Sequence, residues 1–249
     1  MPRVLFAAAL ALLVPSTAWA APSGEAVAPV AVVAHETKLV GPDFSATLSW
    51  PTVTGGTPAA RKAMNAALSF PVVTGQSLAA TKKEFKDCQC GVVGASFAVH
   101  THGGRLLSLT IAVERMAAYP TTETSSFAFD TTTGALLSGA ALVAEDAKPR
   151  LIAHLDALLQ ARIATAKEVA KRELGEDAAI PDEMFTGHFG AADLATFRID
   201  DAGLHWVYSR FDFPHAIAAL EPDGDLTVPF AEAAPFLAPG ARWLVPQAP

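Results

Sequence analysis

The stretch DCQCGVVGASFAVHTHGGRLLSLTIAV, Asp87–Val113, decides how the rest of the chain is read. It holds both cysteines and two of the seven histidines, spaced Cys-x-Cys and His-x-His, a concentration of soft ligands that raises the question of zinc or copper. Geometry argues against a shared ion. Val92 to Thr101 is β-branched and alternating, Gly103-Gly104 is a turn signal, and Leu106 to Val113 resumes an apolar strand pattern, so the stretch reads as a β-hairpin. At about 3.3 Å per residue, Cys90 and His100 stand roughly 30 Å apart along one strand. The expectation is therefore no bound metal and no cofactor. His100 and His102 are expected to be solvated beside the turn, with weak copper or nickel affinity as the alternative. Cys88 and Cys90 are expected to pair with each other, which requires a bend at Gln89 that Gly91 makes easy. Two free thiols, or an intermolecular or redox role, are the other readings.

Compartment bears on those cysteines. The chain opens MPRVLFAAALALLVPSTAWAAPSG: an arginine, an apolar run from Val4 to Val14, then Ala18-Trp19-Ala20 as a small-x-small cleavage signal. Residues 1–20 read as a secretory signal peptide cleaved after Ala20, too short in its apolar run for a spanning helix, and no transmembrane anchor is expected after cleavage. The mature chain would be periplasmic or secreted, where disulfides persist. Loss of Arg3 takes the formal net charge from −7 to −8, and an acidic chain of this kind offers no field to nucleic acid.

Outward from the hairpin the pattern is mixed. Residues 21–36 are Ala/Pro/Val-rich and read as a flexible lead-in. Thr37–Trp50 reads as a first strand with a Gly-Pro irregularity. Thr57-Pro58 caps a short helix, and Leu78–Phe85 is a second helical candidate. Ser125–Phe129 is a strand ending in an Asp-Thr-Thr-Thr-Gly turn. Leu151, Ile152, Leu155, Leu158, Leu159 and Ile163 repeat at three and four residues, predicting a long helix over about 148–174 with Gly175 as its stop. Ala195–Ile199 and Leu204–Tyr208 flank a second hairpin signal, and Leu226–Phe230 is a short strand before a final helical piece, 231–237. Strands joined by hairpins, with few helices, predict an α+β fold with mainly antiparallel sheet.

Three segments carry a family resemblance. SSFAFDTTTGALLSGAALV, Ser125–Val143, resembles the F-x-F-D-x-x-T-G-x-x-L core of the DUF3298 family, found in the exported domain of the lysozyme-sensing anti-sigma factor. Asp200–Leu237 resembles that family's ending. Thr37–Met116 is similar to the DUF4163-type region that precedes it, also found in some peptidoglycan deacetylases. The resemblance implies regions at 37–116 and 117–240, with a tail at 241–249. It also implies partners in peptidoglycan or a cell-wall-active protein such as lysozyme. The chain departs from the family pattern at Ala117-Ala118-Tyr119-Pro120, where a histidine is lost, and at Val228-Pro229-Phe230, where phenylalanine replaces tyrosine. The cytoplasmic segment of the anti-sigma factor and the deacetylase catalytic domain are absent, so neither activity carries over.

Three functions follow as expectations. The first is a non-catalytic envelope binding module using Trp206, Tyr208, Phe211, Asp212, Phe213 and His215, a cluster of aromatics on an alternating strand and the loop after it. The competing reading of those aromatics is plain core. The second is an envelope-polymer hydrolase drawing on Asp182, Glu183, His188, Asp193, His205, Asp212 and His215. No recognisable catalytic motif supports it, and the chain is read as more a binder than an enzyme. The third is a structural envelope protein without a ligand. Convergence of the carboxylates and histidines in one cleft would favour the hydrolase, and scatter the binding module.

Overall fold

A computed structural model describes residues 27–175 and 182–245. Residues 1–26, which include the expected signal peptide and cleavage site, and residues 246–249 of the tail lie outside the described residues. The fold is α+β with two sheets. Strands β1 (Ala31–Val40), β2 (Ser45–Thr54), β3 (Gly91–Gly103), β4 (Leu106–Met116), β5 (Pro120–Asp130) and β6 (Ala135–Leu136) form a six-stranded sheet in chain order. Every neighbouring pair is antiparallel except β2 and β3, which run parallel. A parallel pair needs a long crossover, and the chain supplies it with helices α1 (Pro58–Ala67), α2 (Phe70–Thr74) and α3 (Leu78–Cys88).

Those helices cover one face of the sheet, and strand alternation selects it. On β4, Leu107, Leu109, Ile111 and Val113 point towards the helices, where they pack with Leu39, Leu48, Met64, Phe85 and Phe129. Local chemistry fixes the docking. Thr57 caps α1 by accepting from Ala60 N, and Asn65 on α1 pairs with both the N–H and C=O of Val53 on β2, at 2.8 and 2.9 Å.

The second layer is built around α5 (Lys148–Leu174), preceded by the short α4 (Gly139–Leu142), with Pro149 in the first turn of α5 and Gly175 at its end. Its face of Leu151, Leu155, Leu159 and Ile163 packs on an antiparallel three-stranded sheet of β7 (Phe197–Asp200), β8 (Gly203–Val207) and β9 (Asp225–Val228), and α6 (Phe230–Ala233) follows. Leu106 and Ala128, from the opposite face of the large sheet, join this second core.

Four expectations are corrected. The single first strand is a hairpin: Gly41 N bonds Phe44 O at 3.1 Å, so the Gly-Pro irregularity is its turn. The lead-in is shorter than 21–36, because its Val-rich end is already β1. The boundary at 116/117 falls in a hairpin connection inside one sheet, since β4 and β5 pair residue by residue from Leu106↔Asp130 to Met116↔Pro120. The tail from 241 is packed: Ala241 and Leu244 are buried, and the Trp243 ring lies 4.4 Å beneath the Arg105 guanidinium.

The F-x-F-D-x-x-T-G motif proves architectural. Asp130 takes two bonds from Arg105, at 3.0 and 2.7 Å, and two from Thr132, closing the turn on which β6 begins. The Arg105 hydrogen bonds hold the Asp130 carboxyl below its ordinary pKa. Gly134 has φ +75°, and a Cβ there would lie 2.3 Å from Ala60 O, so only glycine lets this turn meet α1.

Candidate functional site

The small sheet has one apolar face and one charged face, both set by period two. Phe197, Ile199, Leu204, Trp206, Leu226 and Val228 point into the α5 core. Arg198, Asp200, His205, Asp225 and Thr227 point the other way, towards the large sheet. The register places Arg198 beside His205 and His205 beside Thr227, with the two aspartates at diagonal positions.

These side chains close a ring. His205, 4% exposed, meets Asp200 Oδ1 through Nε2 at 2.8 Å and Asp225 Oδ1 through Nδ1 at 3.0 Å, with Thr227 Oγ1 also 2.9 Å from Nδ1. Arg198 donates to the remaining oxygens of the same two aspartates, at 2.5 and 2.6 Å. Ala202 N adds a bond to Asp200 Oδ1 at 2.8 Å. Burial works to raise the Asp200 carboxyl, but the bonds from His205, Arg198 and Ala202 outweigh it and hold the pKa at about 2.

Beside the ring lies a cleft of about 700 Å³ between the two sheets. Its other wall is the face of the large sheet turned away from the helices, with Thr110 on β4 and Thr124 and Ser126 on β5. His100 reaches the cleft through a β-bulge: Val99 pairs with Leu109 and Thr101 with Ser108, which leaves His100 as the extra residue. Its Nε2 sits 3.0 Å from Thr110 Oγ1. Burial, with the Arg198 charge, lowers the His100 pKa from its ordinary value. The expectation of a solvated His100 beside the turn is corrected by this bulge, which sequence alternation does not reveal. The side chain of His102 lies outside the described part of the structure.

The residues expected to form a binding surface separate. Trp206 is 0% exposed and Tyr208 5%, so both belong to the core and offer no contact area. Phe211 and Phe213 are half-buried and extend that core through edge-on ring contacts, Tyr208–Phe211 at 4.9 Å and Phe185–Phe213 at 5.1 Å. Asp212 is exposed and lines a separate shallow groove with Glu183 and Arg210. His215 opens a 3-10 turn, His215–Leu220, and its side chain is outside the described part.

The acid–base candidates also scatter. Asp182 pairs with Lys167, His188 with Asp156 on α5, and Asp193 with Arg210. His205 is locked in the ring. Among the described residues, no group of three or more His, Cys, Asp and Glu side chains is arranged to hold a metal ion. Cys88 and Cys90 form a disulfide with Cα atoms 5.2 Å apart, and Gln89 between them takes left-handed φ +53°.

Sequence reasoning passed over Arg198, Asp200, Asp225 and Thr227, and placed His100 beside the turn and not in the cleft. A signal for four of them was present: R-I-D in β7, L-H-W in β8 and D-L-T-V in β9 each place ionisable or hydroxyl residues at alternate positions.

No protein-family sequence model and no curated protein matches the chain. Solved structures do. A DUF3298 family protein from Pseudomonas aeruginosa aligns over 89% of this chain and 98% of its own, with TM-score 0.57 and 11% identity. A member of the same family from Bacteroides fragilis aligns over 85% of this chain and 94% of its own, with TM-score 0.52 and 15% identity. Both alignments extend well beyond residues 117–240, into the N-terminal part of the large sheet. The chain therefore has the fold of DUF3298 family proteins.

Proposed function

We propose that this chain is an exported, non-catalytic binding module of the bacterial envelope that takes cell-wall material into the cleft between its two sheets. One observation carries the reading: the cleft presents hydroxyls, while the acid and base groups of the ring beside it are consumed by one another. Both ring nitrogens of His205 face aspartate oxygens, and all four oxygens of Asp200 and Asp225 have partners, so the ring directs no base at a ligand. The cleft volume falls within the range of small-molecule sites. Export rests on the signal-peptide pattern of residues 1–20. The scatter of Asp182, Glu183, His188 and Asp212 over other partners and another groove gives the hydrolase reading no support.

The test is co-sedimentation of the mature chain with purified peptidoglycan sacculi, with lysozyme as a second bait in a separate pull-down. The wild-type chain is expected in the sacculus pellet, and Ser126→Trp, which fills the cleft from an edge of its floor, in the supernatant. No soluble fragments should be released. Absence of the wild-type chain from the pellet, or retention undiminished by Ser126→Trp, overturns the cleft as the binding site. Release of fragments that is lost in His205→Asn would establish the hydrolase instead.

A further inference from the structure

We infer that the cleft selects a ligand bearing a primary ammonium group among hydroxyls. This rests on the cleft being the binding site, and it concerns what that site prefers. The lining groups divide into committed and uncommitted ones. Arg198, the one arginine lining the cleft among the described residues, is held by Asp200 and Asp225 together and has no second fork to offer an anion. The hydroxyls of Thr124 and Ser126 make no hydrogen bond among the described residues. Neither does the carboxylate of Glu221 on the opposite rim. Asp223, next to it, accepts from Asp225 N at 2.9 Å and has only a loose, exposed pair with Arg162 at 3.8 Å.

What remains for a ligand is thus the Thr124 and Ser126 hydroxyls and the second ring nitrogen of His100 on one wall, and the Ser209 hydroxyl with two carboxylates on the other. Hydroxyls donate and accept, so they fit ligand hydroxyls of either sense. Carboxylates only accept, and their field repels phosphate or carboxylate and attracts a cation. Selection by stacking is closed off, because the Tyr208 ring is buried under Arg210 and against Phe211. Electrostatics is left as the discriminating force in the cleft. A neutral polyol satisfies the hydroxyls and leaves Glu221 without counter-charge and Asp223 with only its loose Arg162 pair, whereas an ammonium supplies the missing positive charge.

Calorimetric titration of the mature chain with two oligosaccharides of equal length tests this, a glucosamine tetramer and its fully N-acetylated counterpart, at mildly acidic pH where the sugar amine is protonated. The pair differs in the ammonium groups and keeps the same backbone hydroxyls. The glucosamine oligomer is expected to bind the more tightly. Glu221→Gln and Asp223→Asn should each weaken it roughly three- to fivefold, the scale of a partly exposed ion pair. Its Kd should also rise between about 50 and about 200 mM salt. Asp212→Asn, in the other groove, should leave it unchanged. Equal or tighter binding of the acetylated oligomer, indifference to both carboxylate substitutions, or no binding of either sugar overturns the inference. Sacculus retention that is lost in Ser126→Trp but shows no preference for the amine sinks the ammonium preference alone. Amine binding that Ser126→Trp leaves intact sinks the cleft itself.

Discussion

His205 shows how a residue that reads as catalytic becomes structural. A histidine among aspartates suggests a triad, yet here each ring nitrogen has a carboxylate and Arg198 ties the carboxylates together from the other side. Removing the ring's centre leaves an oxygen of Asp225 without its hydrogen-bond partner and opens a cavity. His205→Ala is expected to cost about 3 kcal/mol in denaturant unfolding, from the cavity and the oxygen left unpaired. An unchanged midpoint would mean the ring is ornamental. Asp200 adds a pH dependence. Its folded pKa, about 2, lies below the ordinary 3.8, so its contribution is fully present above about pH 4 and is lost as pH falls towards 2. At 24% side-chain exposure the contribution is roughly 2 kcal/mol. In acid titration followed by circular dichroism, Asp200→Asn should be less stable at neutral pH and lose less on acidification; an acid limb as steep as the wild type's would refute the assignment. Trp206 belongs to the same scale. An alternating Trp-x-Tyr strand followed by Phe-x-Phe is equally compatible with a contact surface and a core. Only the position of α5 decides, by covering the face that carries Trp206.

At the scale of elements, local signals read well and pairings read poorly. The limits of α5 follow from Pro149, the Leu/Ile period and Gly175, and the β3–β4 hairpin from its alternation and paired glycines. The parallel contact of β2 with β3 has no local signal, because it is set by helices packing over the crossover. The bulge at His100 is likewise a product of pairing, and with it the entry of that side chain into the cleft. The Cys88–Cys90 link was legible, since its requirement for a bend fell on Gln89 just before a glycine. A ring this small removes little chain entropy, so replacing both cysteines with serine should lower stability well below the roughly 3 kcal/mol of a 15-residue loop. A larger loss would show that the link also holds Gln89 in its left-handed conformation. The turn from β7 to β8 is less forgiving. Gly203 has φ +149°, and a Cβ there would stand 2.3 Å from Val228 O, inside the β8–β9 pairing. Gly203→Ala should therefore destabilise the chain by more than about 1 kcal/mol, the ordinary cost of glycine replacement at an incompatible φ. Denaturant midpoints within error of the wild type's would exclude that steric role.

The whole molecule is joined where sequence resemblance divides it. A chain made of a 37–116 region followed by a 117–240 region would leave β4 as an edge strand after the first region, yet β4 pairs along its full length with β5. The second core reaches back as well: Leu106 and Ala128 pack with α5 and the small sheet, and Ile199 N on β7 bonds the buried Ser108 hydroxyl on β4 at 3.1 Å. Cutting between Met116 and Ala117 would expose a strand edge on each side and strip both cores of partners, and unpaired edges of this length invite aggregation. The expected outcome is that fragments ending at 116 or starting at 117 do not fold separately, while the mature chain unfolds in a single transition. Thermal melts followed by far- and near-ultraviolet circular dichroism check this directly. Two resolved transitions in the intact chain, or dispersed amide spectra from either fragment alone, would show that the sheet is assembled from two independent domains.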